Sequence, residues 1–173
     1  MTSLGRQNKI NKQNGPKINI TGKEANMEIK SPIFENNKEI PSKYTCDGEG
    51  INPPLTFSNI PKEAKSLVLI MDDPDAPMGT FTHWVIFNID PKITEIKENS
   101  IPSGSTLGLN NGGGVKYVGP CPPSGTHRYF FKLYALDITL SLTGEKISNR
   151  EVEAAIQNHI VKKAELLGLY TRK

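Results

Sequence analysis

Leu67-Val68-Leu69-Ile70-Met71 is an unbroken apolar run that ends abruptly in Asp72-Asp73-Pro74-Asp75-Ala76-Pro77. Such a run suits a strand buried on both faces, and it is far shorter than the ~20 residues that span a bilayer as a helix. The prolines and aspartates after it favour a turn, because proline cannot donate to a strand ladder and aspartate bonds to nearby backbone N–H groups. Residues 82–89 form a second β-branched and aromatic run, closed by Asp90-Pro91. Residues 129–136 form a third. Tyr129, Phe131, Leu133 and Ala135 fall on one of its faces, with Phe130, Lys132, Tyr134 and Leu136 on the other. Both faces are apolar enough to be covered, which places this strand centrally in a sheet. Residues 27–34 suit a first strand, and turn signals recur at Asp47-Gly48, Asn52-Pro53-Pro54 and Asn59-Ile60-Pro61. No internal repeat is visible. The pattern predicts a single, mainly β domain over residues 27–173.

The last segment changes period. Ser148 and Glu151 have the spacing of a capping box. Val152, Ala155, Ile156 and Ile160 recur at helical intervals, Ala164 and Leu167 extend the stripe, and Gly168 is placed to stop it. A C-terminal helix is expected there, with His159 beside its apolar stripe in a structural role.

Charge separates the N-terminus from the rest. Residues 1–26 hold five basic residues and one acid; of 21 basic and 18 acidic residues in the chain, 16 and 17 remain for the body, a net of −1. The body therefore lacks the basic stripe typical of nucleic-acid binding. The tail is rich in Asn, Lys, Gln and Gly without a period of 2 or 3.6, and reads as disordered. Met27 opens the patterned sequence and is an alternative start of translation. No apolar leader follows Met1, and two cysteines, Cys46 and Cys121, are too few for a disulfide scaffold. A cytoplasmic address follows, with a free, buried or half-buried thiol expected at Cys46 and a disulfide disfavoured.

Two segments concentrate ionisable groups at strand ends. One is Asp72-Asp73-Pro74-Asp75-Ala76-Pro77 with the following Thr82-His83-Trp84. The other is Gly119-Pro120-Cys121-Pro122-Pro123-Ser124-Gly125-Thr126-His127-Arg128-Tyr129. Strands fix such side chains, and prolines stiffen the loops. Three chemistries are open. Metal ligation would use Asp73, Asp75, His83 and His127, but the histidines form no short spaced pair, and no metal or cofactor is called for. Hydrolysis would use Cys121 or Ser124 with His127 as base and Asp73 orienting it, but no nucleophile-elbow pattern surrounds Ser124, and nothing near Cys121 lowers a thiol pKa. Anion binding would use the imidazoles and a tyrosine hydroxyl as donors with the carboxylates behind them. In that case the aspartates must be paired, because free carboxylates repel an anion. Phe81, Pro77 and Trp84 are candidate apolar contacts for the rest of a ligand, although a strand position makes Trp84 a core residue first. Arg128 alternates away from His127 and Tyr129 and suits a salt bridge.

These two segments, in this order and separation, resemble the signatures of the phosphatidylethanolamine-binding protein family, most closely its bacterial and archaeal Raf-kinase-inhibitor-like branch. The resemblance runs from about Met27 to Arg172. It implies a Greek-key β-sandwich with a large central antiparallel sheet, a smaller second sheet and a C-terminal helix. It implies a non-catalytic pocket for a small anion, phosphate or phospholipid-headgroup-like, lined or braced by Asp73, Asp75, His83, His127 and Tyr129 and walled by Pro77, Gly119 and Pro120. It also implies a cis Ala76–Pro77 bond, a possible homodimer and, as an alternative function, inhibition of a kinase or protease. One departure is Gly112-Gly113-Gly114, where relatives often carry an acidic–aromatic pair; a more mobile loop is expected there.

Overall fold

The computed structural model describes residues 25–172. The strands are β1 (Glu28–Lys30), β2 (Lys38–Glu39), β3 (Leu55–Ser58), β4 (Ser66–Asp73), β5 (Phe81–Ile89), β6 (Glu95–Ile96), β7 (Thr106–Leu107), β8 (Thr126–Leu136) and β9 (Ile160–Thr171), with one helix, α1 (Asn149–Ile156), before the last strand. A six-stranded sheet runs β2-β9-β8-β4-β5-β7, and a three-stranded sheet runs β1-β3-β6. This is the mainly β sandwich expected. No helix among the described residues is long and apolar enough to cross a membrane.

β4 explains the architecture. Every residue of it is buried. Leu67, Leu69 and Met71 face the smaller sheet and share a core with Ile29, Leu55, Phe57, Trp84, Ile86, Phe131 and Leu133. Val68 and Ile70 face the other way and pack with Val85, Phe87, Val152 and Ile156, the last two from α1. A strand covered on both sides has no use for alternation, hence the continuous apolar run. β8 is the other central strand, paired with β9 along its length and with β4 from Phe130 to Leu136.

The capping box is present: Glu151 N donates to Ser148 Oγ at 3.3 Å, and Ser148 N donates to Glu151 Oε2 at 2.9 Å. The helix it starts is shorter than predicted. It ends at Ile156, and Ile160–Thr171 is a strand antiparallel to β8. The apolar positions after Ile160 follow a period of two, with Leu166, Gly168 and Tyr170 on the buried face. Pairing with β8 outweighs the weak helical stripe. Gly168 is therefore no helix stop. A Cβ there would lie 2.5 Å from Ile40 Cγ1 and 2.6 Å from Ile40 Cδ1, so glycine lets β9 approach that side chain. His159 sits in the turn between α1 and β9, its Nδ1 2.9 Å from Asp137 Oδ1. The first strand is also shorter than expected, covering Glu28–Lys30. Met27 is buried in the core beside it. The reading of the basic tail falls on residues 1–24, outside the described residues, apart from the exposed Ala25 and Asn26.

Candidate functional site

β4 ends, and β5 and β8 begin, at the same edge of the large sheet, because β4 is antiparallel to both. A cavity of about 190 Å³ opens there. Its polar lining is Asp73, His83 and His127. Its apolar lining includes Pro77, Phe81, Val118 and Pro123, with Gly119 and Cys121 completing the wall. Sequence positions 73, 83 and 127 thus converge on one hollow.

Asp73 is the last residue of β4, and its side chain is only 5% exposed. Both of its oxygens are engaged. Oδ1 accepts from Asp75 N at 2.8 Å, an Asx turn that starts the loop, and Oδ2 accepts from His127 Nδ1 at 2.7 Å. A buried carboxylate with both oxygens engaged in this way orients the imidazole and is balanced by that ring when the ring is charged.

His83 reaches the cavity through a β-bulge. Met71 pairs with Trp84 but Asp72 pairs with Thr82, so His83 is an extra residue in β5. Strict alternation would send it to the α1 side. The bulge turns it toward Asp73 and His127 instead, while Thr82 Oγ1 on the opposite side donates to Asp72 Oδ1 at 2.8 Å. His83 Nδ1 lies 2.7 Å from Val118 O. Burial depresses its protonation, against the opposing effects of the Val118 bond and the Asp73 charge.

The wall formed by residues 117–121 rests on the turn at 44–46. Tyr117 Oη donates to Tyr44 O at 2.8 Å, and Cys46 N donates to Pro120 O at 3.0 Å. A Cβ on Gly119 would come within 2.8 Å of Tyr44 O and 2.9 Å of Thr45 Cα, so only glycine permits this stacking. Cys46 and Cys121 form a disulfide across the same contact, with both residues exposed. The expectation of a free, buried or half-buried thiol at Cys46 is overturned: the two loops are held together by backbone contacts that bring their sulfurs into bonding range. Cys121 in this state has no thiolate to serve as a nucleophile.

The predicted residues divide into two groups. Pro77, Gly119, His83, His127 and Asp73 line the cavity. Asp75, Pro120 and Tyr129 do not, and act from behind it. Asp75 is paired with Arg128, whose Nε and Nη2 donate to it at 2.9 and 2.8 Å while Arg128 N donates at 2.9 Å. These bonds hold the Asp75 carboxyl below its ordinary pKa and tie the loop to β8. Arg128 thus makes the salt bridge its strand position implied. Tyr129 is fully buried beneath the histidines, edge-on to His83 at 5.3 Å and stacked on His127 at 6.4 Å. Its hydroxyl is approached by the Cys121 backbone but has no well-formed hydrogen bond, and burial, with the Asp73 and Asp75 charges, raises its pKa. Trp84 is core: it faces Tyr117 at 5.4 Å and does not line the cavity. The Ala76–Pro77 bond is trans, contrary to the cis bond expected; the Asx turn at Asp73 and the Gly79 N to Ala76 O bond at 3.1 Å reverse the chain without one. The triple-glycine loop closes around Asn110, which accepts from Gly114 N at 3.1 Å and donates to Lys116 O at 2.7 Å. Val118 and Pro123 escaped the sequence reading, Val118 because its part is played by a backbone carbonyl that carries no side-chain signature.

Among the described residues, no group of three or more His, Cys, Asp or Glu side chains is placed to hold a metal ion. A larger groove, about 390 Å³, lies between β1 and β9 away from these residues. Its wall includes Met27, Ile29 and Phe34 and the mutually paired Glu28 and Lys30, without converging histidines.

The class of protein is thus a two-sheet β-sandwich with a histidine- and aspartate-lined hollow at the end of its large sheet. The phosphatidylethanolamine-binding protein family model matches residues 30–171, and the chain belongs to that family. It is 52% identical over 151 residues to a UPF0098 protein of Methanothermobacter thermautotrophicus, covering 84% of this chain and 99% of that one. A UPF0098 protein of Chlamydia trachomatis is 42% identical, again with 84% and 99% coverage. Among solved structures, the phosphatidylethanolamine-binding protein homologue CT736 of Chlamydia trachomatis superposes with a TM-score of 0.82 at 41% identity, over 86% of this chain and 99% of that one. E. coli YbcL, a member of the same family, superposes at 0.81 with 26% identity, over 86% and 100%.

Proposed function

We propose that the protein is a non-catalytic receptor for a small anion, phosphate or a phosphorylated headgroup. The observation that carries this reading is the Asp73–His127 pair. Each carboxylate near the cavity is already committed, Asp73 to His127 and the Asp75 N–H, Asp75 to Arg128. The repulsion that free aspartates would exert on an anion is thereby removed, and His127 keeps its Nε2 for a ligand. In its charged form that ring donates a charge-assisted hydrogen bond through Nε2. Pro77, Phe81, Val118 and Pro123 supply apolar contact beyond the charged group. One charge-assisted bond of about 1.5–3 kcal/mol and the apolar contacts, less the cost of association, give bare phosphate a Kd of roughly millimolar order at best.

The test is thermal stabilisation by phosphate and phosphoethanolamine at millimolar concentration. His127→Ala is expected to abolish the shift. No shift with any phosphorylated compound between pH 5 and 8 refutes the receptor. Labelling of Ser124 by an activated ester would favour a hydrolase instead. A cytoplasmic location belongs to the same proposal, and thiol titration of freshly extracted protein checks it: two free thiols accord with a reducing compartment, whereas an intact Cys46–Cys121 bond opposes one.

A further inference from the structure

The anion reading leaves open which anions the hollow accepts, and the hydrogen-bond polarity of its two histidines addresses this. His83 Nδ1 lies 2.7 Å from Val118 O. A carbonyl oxygen only accepts, so Nδ1 carries the hydrogen, and in a neutral ring Nε2 is then a bare lone pair. The opposite tautomer would set two lone pairs against each other at that distance. The residue is 4% exposed. Phe81 and Tyr129 pack on it at 4.8 and 5.3 Å, and the charged or titratable groups that face it are Asp73, Asp72, His127 and the Tyr129 hydroxyl. This environment disfavours a charge on His83. At His127, Nδ1 is likewise spent, on Asp73 Oδ2, but here a carboxylate is at hand to balance a proton on Nε2. The two rings therefore present opposite polarities to a shared ligand: His127 in its charged form donates, and His83 accepts.

An oxyanion without hydrogen satisfies only the first. Its oxygens are all acceptors, and one of them would face the His83 lone pair. Hydrogen phosphate satisfies both, because one of its oxygens carries a proton. Resting on the receptor reading above, we propose that the pocket selects oxyanions that carry a proton, hydrogen phosphate and phosphomonoester monoanions, over proton-free oxyanions of the same shape such as sulfate and phosphodiesters, with His83 Nε2 accepting the ligand's hydrogen. Below its second pKa of about 6, a phosphomonoester such as phosphoethanolamine is then a better ligand than the phosphodiester of an intact phospholipid.

The experiment titrates the full chain with four anions at constant ionic strength, followed by NMR shifts of the histidine rings and by melting temperature. Phosphate and sulfate are compared at pH 7, where both are tetrahedral, phosphate is in part a dianion like sulfate, and only phosphate retains a P–OH. Methyl phosphate and dimethyl phosphate are compared at about pH 5.5, below the monoester's second pKa of about 6. Phosphate is expected to bind at least about tenfold more tightly than sulfate, as sites do that leave a polar partner unpaired in the wrong ligand. Methyl phosphate is expected to bind at the lower pH and to weaken toward pH 8, with dimethyl phosphate silent throughout. In His83→Gln, whose amide both donates and accepts, the phosphate-to-sulfate ratio should fall toward one. Equal affinities for phosphate and sulfate, dimethyl phosphate matching methyl phosphate, or an unchanged ratio in His83→Gln each overturns the selection while leaving an anion receptor in place. If none of the four anions binds, the receptor itself is refuted and the selection goes with it. The wild-type comparisons decide the matter if the variant does not fold.

Discussion

His83 and Trp84 are consecutive residues of one strand, yet both project to the side of the sheet that faces the smaller sheet. The extra residue that His83 inserts between the Met71–Trp84 and Asp72–Thr82 pairs makes this possible. Trp84 closes the core with Tyr117, and His83 lines the hollow beside it. A single bulge thus separates packing from ligand chemistry at adjacent positions.

Burying His83 has a consequence for stability. Its protonation is depressed in the folded chain, first by burial. Below an ordinary histidine pKa of about 6.5 the unfolded chain takes up a proton at this position that the folded chain refuses. The contribution of neutral His83 is therefore complete above that pH and is lost as pH falls from it toward the folded value. Urea unfolding in phosphate-free buffer between pH 7.5 and 5 should show stability falling with acidity. The fall should be shallower in His83→Gln than in the wild type, a difference that removes the background of His127 and His159. Parallel curves would mean that His83 takes up its proton alike in the folded and the unfolded chain.

Asp73 offers a sharper test of the buried network. Asp73→Asn keeps the shape, but its single amide oxygen cannot accept from both Asp75 N and His127 Nδ1. With Oδ1 still accepting from Asp75 N, the new NH₂ faces His127 Nδ1, and as long as that nitrogen keeps its hydrogen one donor is left unmet in a buried site. A stability loss of about 1–3 kcal/mol is expected, the cost of a buried unsatisfied donor. The thermal shift by phosphate should weaken in parallel, since a charged His127 loses its counter-charge. Full stability in the variant would mean that His127 moves its hydrogen to Nε2 and accepts from the amide instead.

The mainly β character was readable from residues such as Leu67 to Met71 and the run at Tyr129 to Leu136, because strands covered on both faces carry apolar residues on both, whereas the two-sheet sandwich was readable only through the family resemblance. The convergence of Asp73, His83 and His127 was readable through the resemblance of their motifs. Three features were not. The bulge at His83 depends on pairing between strands, which no local pattern records. The helix-to-strand change after Ile156 was hidden because Ile160, Ala164 and Leu167 satisfy a helical period while Leu166, Gly168 and Tyr170 satisfy a strand's. The Cys46–Cys121 bond depends on backbone stacking at Gly119, which lies far from Cys46 in sequence.

Gly168 tests the assignment of the last strand. Its absent Cβ makes room for Ile40, which is fully buried. Gly168→Ala forces that side chain to shift within a packed core and should cost about 1–3 kcal/mol, as overpacking does. Ile40→Ala creates a cavity and costs about 2–5 kcal/mol alone. Combined, the two should be less destabilising than their sum, because the new methyl fills part of the space vacated. Additive losses in a double-mutant cycle would place the Gly168 effect in the backbone and remove Ile40 from the explanation.

Reduction of the disulfide separates global stability from the pocket. Cys46 and Cys121 are 75 residues apart in sequence. Closing a loop of that length lowers the entropy of the unfolded chain by an amount worth about 4 kcal/mol at 25 °C in the chain-entropy model. Both cysteines are exposed, so a soluble dithiol can reach the bond without prior unfolding. Reduction should therefore lower the urea midpoint with little change in native circular dichroism, and Cys46→Ser/Cys121→Ser should reproduce the loss. The local consequence is smaller. The wall stays seated through the Tyr117–Tyr44 and Cys46–Pro120 bonds and the Gly119 contact, so phosphate affinity in the reduced protein should remain within a fewfold of the oxidised value. A reduced protein that unfolds at the same urea concentration would show that the bond constrains little of the unfolded ensemble. A reduced protein that is stable but blind to phosphate would show that the sulfurs, rather than the backbone contacts, hold the wall.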